Sequence, residues 1–184
     1  VATIPTCMWL NANPGNPDAQ VPQPVERHVG VEDPAFARQL GLLLGPAFVT
    51  GNAVKALQNG DEIFPAMLGA IQAARVSITF ETYIYWSGDI GKQFADALAE
   101  RARQGVKVHV LLDWVGSIKM EQSLLDEMVA AGVEIRRFHR PHWSNIDRMN
   151  NRTHRKLLVV DGRVGFTGGV GIAQLWTGDA QDPD

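Results

Sequence analysis

Hydrophobic and polar positions change their period several times along the chain, and each change marks an element. From Val76 to Ile84 they alternate: Val76, Ile78, Phe80, Thr82 and Ile84 share one parity, and Ser77, Thr79, Glu81, Tyr83 and Tyr85 the other. A period of two predicts a strand. Helical spacing follows over about Ile90–Gln104, through Phe94, Ala97, Leu98 and Ala102, with Gly105 as its stop. Val106–Asp113 reads as a strand of the buried kind, Gln122–Ala131 as a helix stopped by Gly132, and Val133–Phe138 as a third strand. His154–Val160 is a fourth strand; Asp161-Gly162 is a hairpin turn signal, and Arg163–Thr167 returns. Upstream, Asp33-Pro34 opens a short helix carrying Phe36, Leu40 and Leu43, and Gly45-Pro46 ends it. Asn59-Gly60 reads as a turn, after which Asp61 caps a helix over about Glu62–Ala74.

Strand, helix, strand, helix, strand predicts right-handed βαβ units. The expected fold is α/β, with a mixed, largely parallel sheet and helices on both faces. Strand ends then gather at one rim, the default site in such sheets, with Asp113 and His139 near it. Residues 1–33, rich in Pro, Asn and Gly and without periodicity, are expected to form an extended arm or linker. Residues 34–184 are expected to form the domain.

Composition narrows the function classes. The chain has 184 residues, 45% of them apolar and 20% charged, which is ordinary globular material. A net charge of −3 argues against a general nucleic-acid partner. One cysteine, Cys7, excludes an internal disulfide framework and a cysteine-based metal cluster. No apolar run approaches the length of a membrane span. Residues 1–10 have neither the basic nor the apolar region of a signal peptide. An anchor, if the protein has one, is expected outside this chain.

The tightest chemical signal is His154-x-Lys156-(x)4-Asp161. On a strand, His154 and Lys156 are two residues apart and face the same way, whereas Asp161 has the opposite parity and sits in a hairpin turn. The pair is therefore expected to carry the chemistry, with Asp161 in support. An imidazole serves as a nucleophile or general acid/base near pH 7, and an ammonium supplies charge to phosphoryl oxygens. Gly168, Gly169 and Gly171 let main-chain N–H groups approach an anion. The aperiodic segment His139–Thr153, with Arg140, Arg148 and Arg152, is basic in an acidic chain and leads into His154.

At these residues the sequence resembles the phospholipase D superfamily, whose signature is His-x-Lys-(x)4-Asp followed by Gly-Gly or Gly-Ser. The stretches 59–64, 80–86 and 110–117 are similar to its bacterial cardiolipin synthase branch. The resemblance implies a phosphatidyltransferase in which a histidine attacks a phosphodiester to form a phosphohistidine. A second histidine protonates the leaving group, and an alcohol or water resolves the intermediate. No metal or other cofactor is implied. Carried over, His154 is one of the two histidines, Lys156 grips the phosphate and Asp161 completes the motif. Arg152, Gly168, Gly169 and the rim residue Glu81 are expected to bind substrate. The implied partners are an anionic phospholipid similar to phosphatidylglycerol and the membrane surface on the cytoplasmic side of a bacterium.

Two departures stand out. Gly171 occupies a position where the family often has Asn. The chain also carries one motif, so the resemblance implies a second half in cis or a second copy in trans. The carboxylate that orients the histidine usually lies downstream of the motif, where Asp182 and Asp184 are the late candidates. The rival readings are a single-motif homodimeric phosphodiesterase or nuclease, or a phospholipase D hydrolase, and a non-catalytic interaction domain of the same fold.

Overall fold

The structure is a computed structural model that describes residues 29–45, 48–138 and 152–179. It divides into two units, residues 1–56 and 57–184. The first contains helix α1 (Pro34–Leu44), whose N-terminus is capped as the sequence predicts: the Asp33 carboxylate accepts the Ala35 N–H at 2.7 Å. None of its residues is buried. Residues 34–56, expected within the domain, thus fall in the first unit.

The second unit holds a five-stranded sheet of β1 (Ser77–Thr82), β2 (Lys107–Asp113), β3 (Glu134–Phe138), β4 (Leu157–Val160) and β5 (Val164–Thr167). The spatial order is β3-β2-β1-β4-β5. The first three strands are parallel, while β4 runs antiparallel to β1 and β5 antiparallel to β4. Helix α2 (Asn59–Ala73) precedes β1, α3 (Asp89–Arg103) links β1 to β2, and α4 (Gln122–Ala130) links β2 to β3.

The expectation of helices on both faces is corrected. Ile78, Phe80, Val108, Val110, Leu112, Leu158 and Val160 form one core with Phe64 and Ile71 of α2, Phe94 and Leu98 of α3, and Leu124 and Met128 of α4. Among the described residues the helices therefore cover one face. The opposite face, with Thr79, His109 and Arg136, is exposed. The topology supplies the reason. From β1 to β2 to β3 the sheet grows in one direction, and successive right-handed crossovers in one direction put their helices on one side. Covering both sides requires a reversal of strand order, which comes only after β3.

Aromatic rings tie these layers together. Phe94 lies edge-on to Phe64 at 5.9 Å and stacks with Phe80 at 6.0 Å, joining α2, α3 and β1. Burying such a ring contributes about 2–3 kcal/mol. Helix α2 starts earlier than predicted: Asn59 and Gly60 belong to its first turn, with Gln58 as N-cap and the Glu62 carboxylate accepting the Gln58 N–H at 3.0 Å. The space there is tight, because a Cβ on Gly60 would overlap the Trp176 carbonyl oxygen.

Candidate active site

One rim of the sheet gathers the chemistry. The C-terminal ends of β1 and β2, the start of β4 and the end of β5 all lie there, since Glu81 pairs with Leu111 and Leu157, and Leu157 with Thr167. The segment 152–156 enters β4 across this rim. Strand β4 begins at Leu157 rather than at His154, so the predicted pair precedes the strand.

His154 and Lys156 nevertheless converge, and the meeting point is Tyr83. The His154 imidazole lies edge-on to the Tyr83 ring at 5.1 Å between centroids, and the Lys156 ammonium stands 5.5 Å from the same ring. Lys156 Nζ also donates to the His154 carbonyl at 3.2 Å. Partial burial pushes the Lys156 pKa down, and no carboxylate pairs with its ammonium among the described residues. The result is an exposed imidazole beside a partly desolvated cation that lacks an anion. No carboxylate contacts the imidazole among the described residues either. Asp182 and Asp184 lie outside them, as do His139, Arg140 and Arg148.

Two carboxylates hold the residue before His154. The Thr153 N–H donates to Asp113 Oδ2 at 3.1 Å, and the Thr153 hydroxyl donates to Glu81 Oε1. Asp113 Oδ1 accepts the N–H groups of Val115 and Gly116, each at 3.0 Å, so one buried carboxylate joins the turn after β2 to the segment entering β4. Glu81 reaches the other side of His154 as well, 3.8 Å from Arg155. Residues 153 and 155 both engage Glu81, and the His154 side chain between them packs on Tyr83.

These contacts change two of the expected roles. Glu81, expected to bind substrate, is nearly buried and its carboxylate is engaged by Thr153 and Arg155. It holds the segment on either side of His154. Asp161 lies apart from His154 and Lys156, beyond the far end of β4, at the opposite rim. Its Oδ1 accepts the N–H groups of Val76 at 2.8 Å and Ser77 at 2.9 Å, and its Oδ2 that of Arg75 at 3.0 Å. Those bonds hold its pKa below the ordinary aspartate range. Asp161 has φ 54° and Gly162 φ 63°, the left-handed pair that a tight hairpin requires.

The remaining candidates are at the rim. Arg152 is half-buried, two residues before His154. Gly168 and Gly169 are exposed just after β5, and a Cβ on either would meet nothing within 4 Å. Gly171 differs: a Cβ there would stand 2.8 Å from Ile84 Cβ and 3.0 Å from the Trp176 ring, so packing leaves no room for a side chain. Sequence reasoning missed Tyr83 and Thr153. Among the described residues no group of three or more His, Cys, Asp or Glu side chains is placed to hold a metal ion.

Residues 67–175 match the family described as "Cardiolipin synthase, PLD-like domain". The chain is 40% identical over 136 residues to Cardiolipin synthase 1 of Bacillus cereus, covering 73% of this chain and 26% of that protein. It is 41% identical over 123 residues to Cardiolipin synthase B of Escherichia coli, covering 65% of this chain and 30% of that protein. It thus spans between a quarter and a third of the length of these relatives. The fold is similar to that of NucT from Helicobacter pylori, with a TM-score of 0.50 and 17% identity over 64% of this chain and 71% of that one.

Proposed function

The chain belongs to the cardiolipin synthase, phospholipase D-like domain family, and from that premise we propose that it carries one half of a phosphatidyltransferase site acting on phospholipid phosphodiesters. The observation that carries this reading is the pairing, on Tyr83, of an exposed imidazole with a partly desolvated ammonium that has no carboxylate partner among the described residues. A phosphate diester is the complementary group: its anionic oxygens restore the charge balance of Lys156, and its phosphorus lies open to His154.

In the proposed reaction a His154 nitrogen forms a bond to phosphorus as the phosphorus–oxygen bond to the first alcohol breaks. The departing oxygen takes a proton from a second histidine, supplied by a second motif half in cis or by a second copy in trans. That histidine then removes the proton of an acceptor hydroxyl, whose oxygen attacks phosphorus and releases His154 unchanged. Lys156, Arg152 and the N–H groups of the exposed Gly168 and Gly169 neutralise the phosphoryl oxygens. Glu81 and Asp113 hold Thr153 so that His154 keeps its direction. No cofactor enters these steps. The donor is an anionic phospholipid similar to phosphatidylglycerol, so the site works at the membrane surface, on the cytoplasmic side.

The test is phosphatidyl transfer between phosphatidylglycerol molecules by the full-length protein and its His154→Ala variant, with acid-quenched samples examined for phosphohistidine. The proposal expects transfer to fall by a factor of about a thousand or more, the scale of losing a nucleophile. Normal cardiolipin formation by the variant would refute it.

A further inference from the structure

The loops around this rim carry a second pattern that the transfer chemistry does not use. Trp86 follows β1, and two other loops meet its ring. The Lys119 ammonium, from the turn after β2, stands 4.0 Å from the ring centroid. Trp176, from the 3-10 turn Gln174–Trp176 after β5, lies 6.3 Å away at a tilt of 32°. The hub is fixed from below: Trp86 Nε1 donates to the Gly116 carbonyl at 3.0 Å, and the Trp86 N–H to the Ile172 carbonyl at 2.9 Å. All three loops leave the sheet at the rim that bears His154.

Beside this hub two large apolar side chains project into solvent. Ile118 and Leu175 are each 66% exposed, next in sequence to Lys119 and Trp176. Burying either side chain would be favourable, and both lie in loops that meet at the Trp86 ring. The cations nearby are Lys119 in one loop, and Arg152, Arg155 and Lys156 in the segment entering β4. Carboxylates stand in the same loops: Asp89 three residues after Trp86, Glu121 two after Lys119 and Asp179 three after Trp176. Apolar tips, indole rings behind them and cations at the same level match the layers of a bilayer interface: acyl boundary, headgroup zone and anionic surface.

We propose that this rim is a membrane-docking surface, with Ile118 and Leu175 inserted into a bilayer containing anionic phospholipid and Trp86, Trp176 and Lys119 at headgroup depth. The inference rests on the reading of the rim as a phospholipid site and adds how that site meets its substrate. Docking by the tips presses the His154–Lys156 pair against the headgroup layer, so a phosphodiester reaches it without leaving the bilayer.

The experiment is co-sedimentation of the 184-residue chain with vesicles of phosphatidylcholine alone and of phosphatidylcholine mixed with phosphatidylglycerol. Wild type is expected to bind the mixed vesicles. Ile118→Asp and Leu175→Asp should each weaken binding roughly tenfold or more, and Lys119→Gln about fivefold on the mixed vesicles only. Val164→Asp is the control: Val164 is also exposed, at 47%, but begins β5 at the opposite rim, and its replacement should leave binding unchanged. Thermal melts establish that each variant is folded. His154→Ala should bind like wild type, so lost transfer with retained docking separates the two readings. No vesicle binding, or equal binding by both tip variants and wild type, overturns the proposal. So does an oligonucleotide that displaces the vesicles and whose own binding the tip variants leave intact, because the rim would then be a nucleic-acid surface.

Discussion

The Asp113 carboxylate accepts the Thr153 N–H at 3.1 Å across 40 residues of sequence. The end of β2 thus fixes the residue before His154. Because Asp113 also accepts two N–H groups from its own turn, Asp113→Ala leaves three donors unsatisfied in or near the core. The expected loss of stability is on the order of 3 kcal/mol. Asp113→Asn is milder but more telling. Its amide oxygen can serve Val115 and Gly116, which turns the NH2 group towards the Thr153 N–H, donor against donor. That variant should lose about 1–2 kcal/mol in urea denaturation while shifting the His154 ring resonances. An unchanged His154 spectrum would remove the tether from the positioning of the site.

Tyr83 is the surface on which His154 and Lys156 meet. Tyr83→Phe keeps the ring and should leave phosphatidyl transfer by the full-length protein close to wild type. Tyr83→Leu removes it. An exposed cation–ring contact is worth about 0.5–1 kcal/mol, so transfer should fall roughly two- to fivefold, mainly in kcat if the ring orients the groups. Equal activity of the Leu variant would show that the ring has no part in it.

Much of this arrangement was legible before any coordinates. Alternation located β1, helical spacing located α3 and α4, and Asp161-Gly162 located the hairpin, because each is a local pattern dictated by neighbouring residues. The length of β4, four residues, puts Asp161 at the rim opposite His154 and Lys156. What escaped is non-local. Nothing in the sequence around Thr153 points to Asp113 or Glu81, 40 and 72 residues away. Parity also failed past the end of β1. Tyr85, read on the face of Glu81, is wholly buried against Phe80 and donates its hydroxyl to the Gly91 carbonyl at 2.8 Å. The chain turns after Thr82, whose hydroxyl donates to the Ile84 carbonyl at 2.9 Å, and a period-two pattern ends with its strand.

Asp161 gives the fold an acid-sensitive joint. Its pKa is held below the ordinary aspartate value, first by the Ser77 N–H and then by those of Val76 and Arg75. Its contribution to stability is therefore complete above the unfolded pKa of about 3.9 and is lost as pH falls below it, through the lower folded value. Asp161→Asn should be less stable than wild type at pH 7, with the gap narrowing as the pH is lowered through that window. Asp161→Ala should be worse than Asn, since alanine also meets the strain of φ 54°. Melting temperatures between pH 2.5 and 7 test both orders. A gap that stays constant with pH would deny the carboxylate this role.

Two glycines at the site rim should answer differently to the same change. A Cβ on Gly116 would overlap the Tyr83 carbonyl oxygen, which is backbone and can yield only by moving the end of β1. Overpacking of this kind costs about 1–3 kcal/mol, occasionally more. Because Gly116 also donates to Asp113 and accepts from Trp86 Nε1, the displacement spreads to the Thr153 tether and to the aromatic hub. Gly116→Ala should therefore lower the melting temperature and weaken transfer and vesicle binding together. Gly169 has open space where a Cβ would go and no left-handed backbone to maintain. Gly169→Ala should leave stability and vesicle binding unchanged. If its main-chain N–H approaches the phosphoryl oxygens, the added methyl obstructs that approach and transfer alone falls. Full transfer by Gly169→Ala would place the phosphate on the Lys156 side of the rim, away from the Gly168-Gly169 turn.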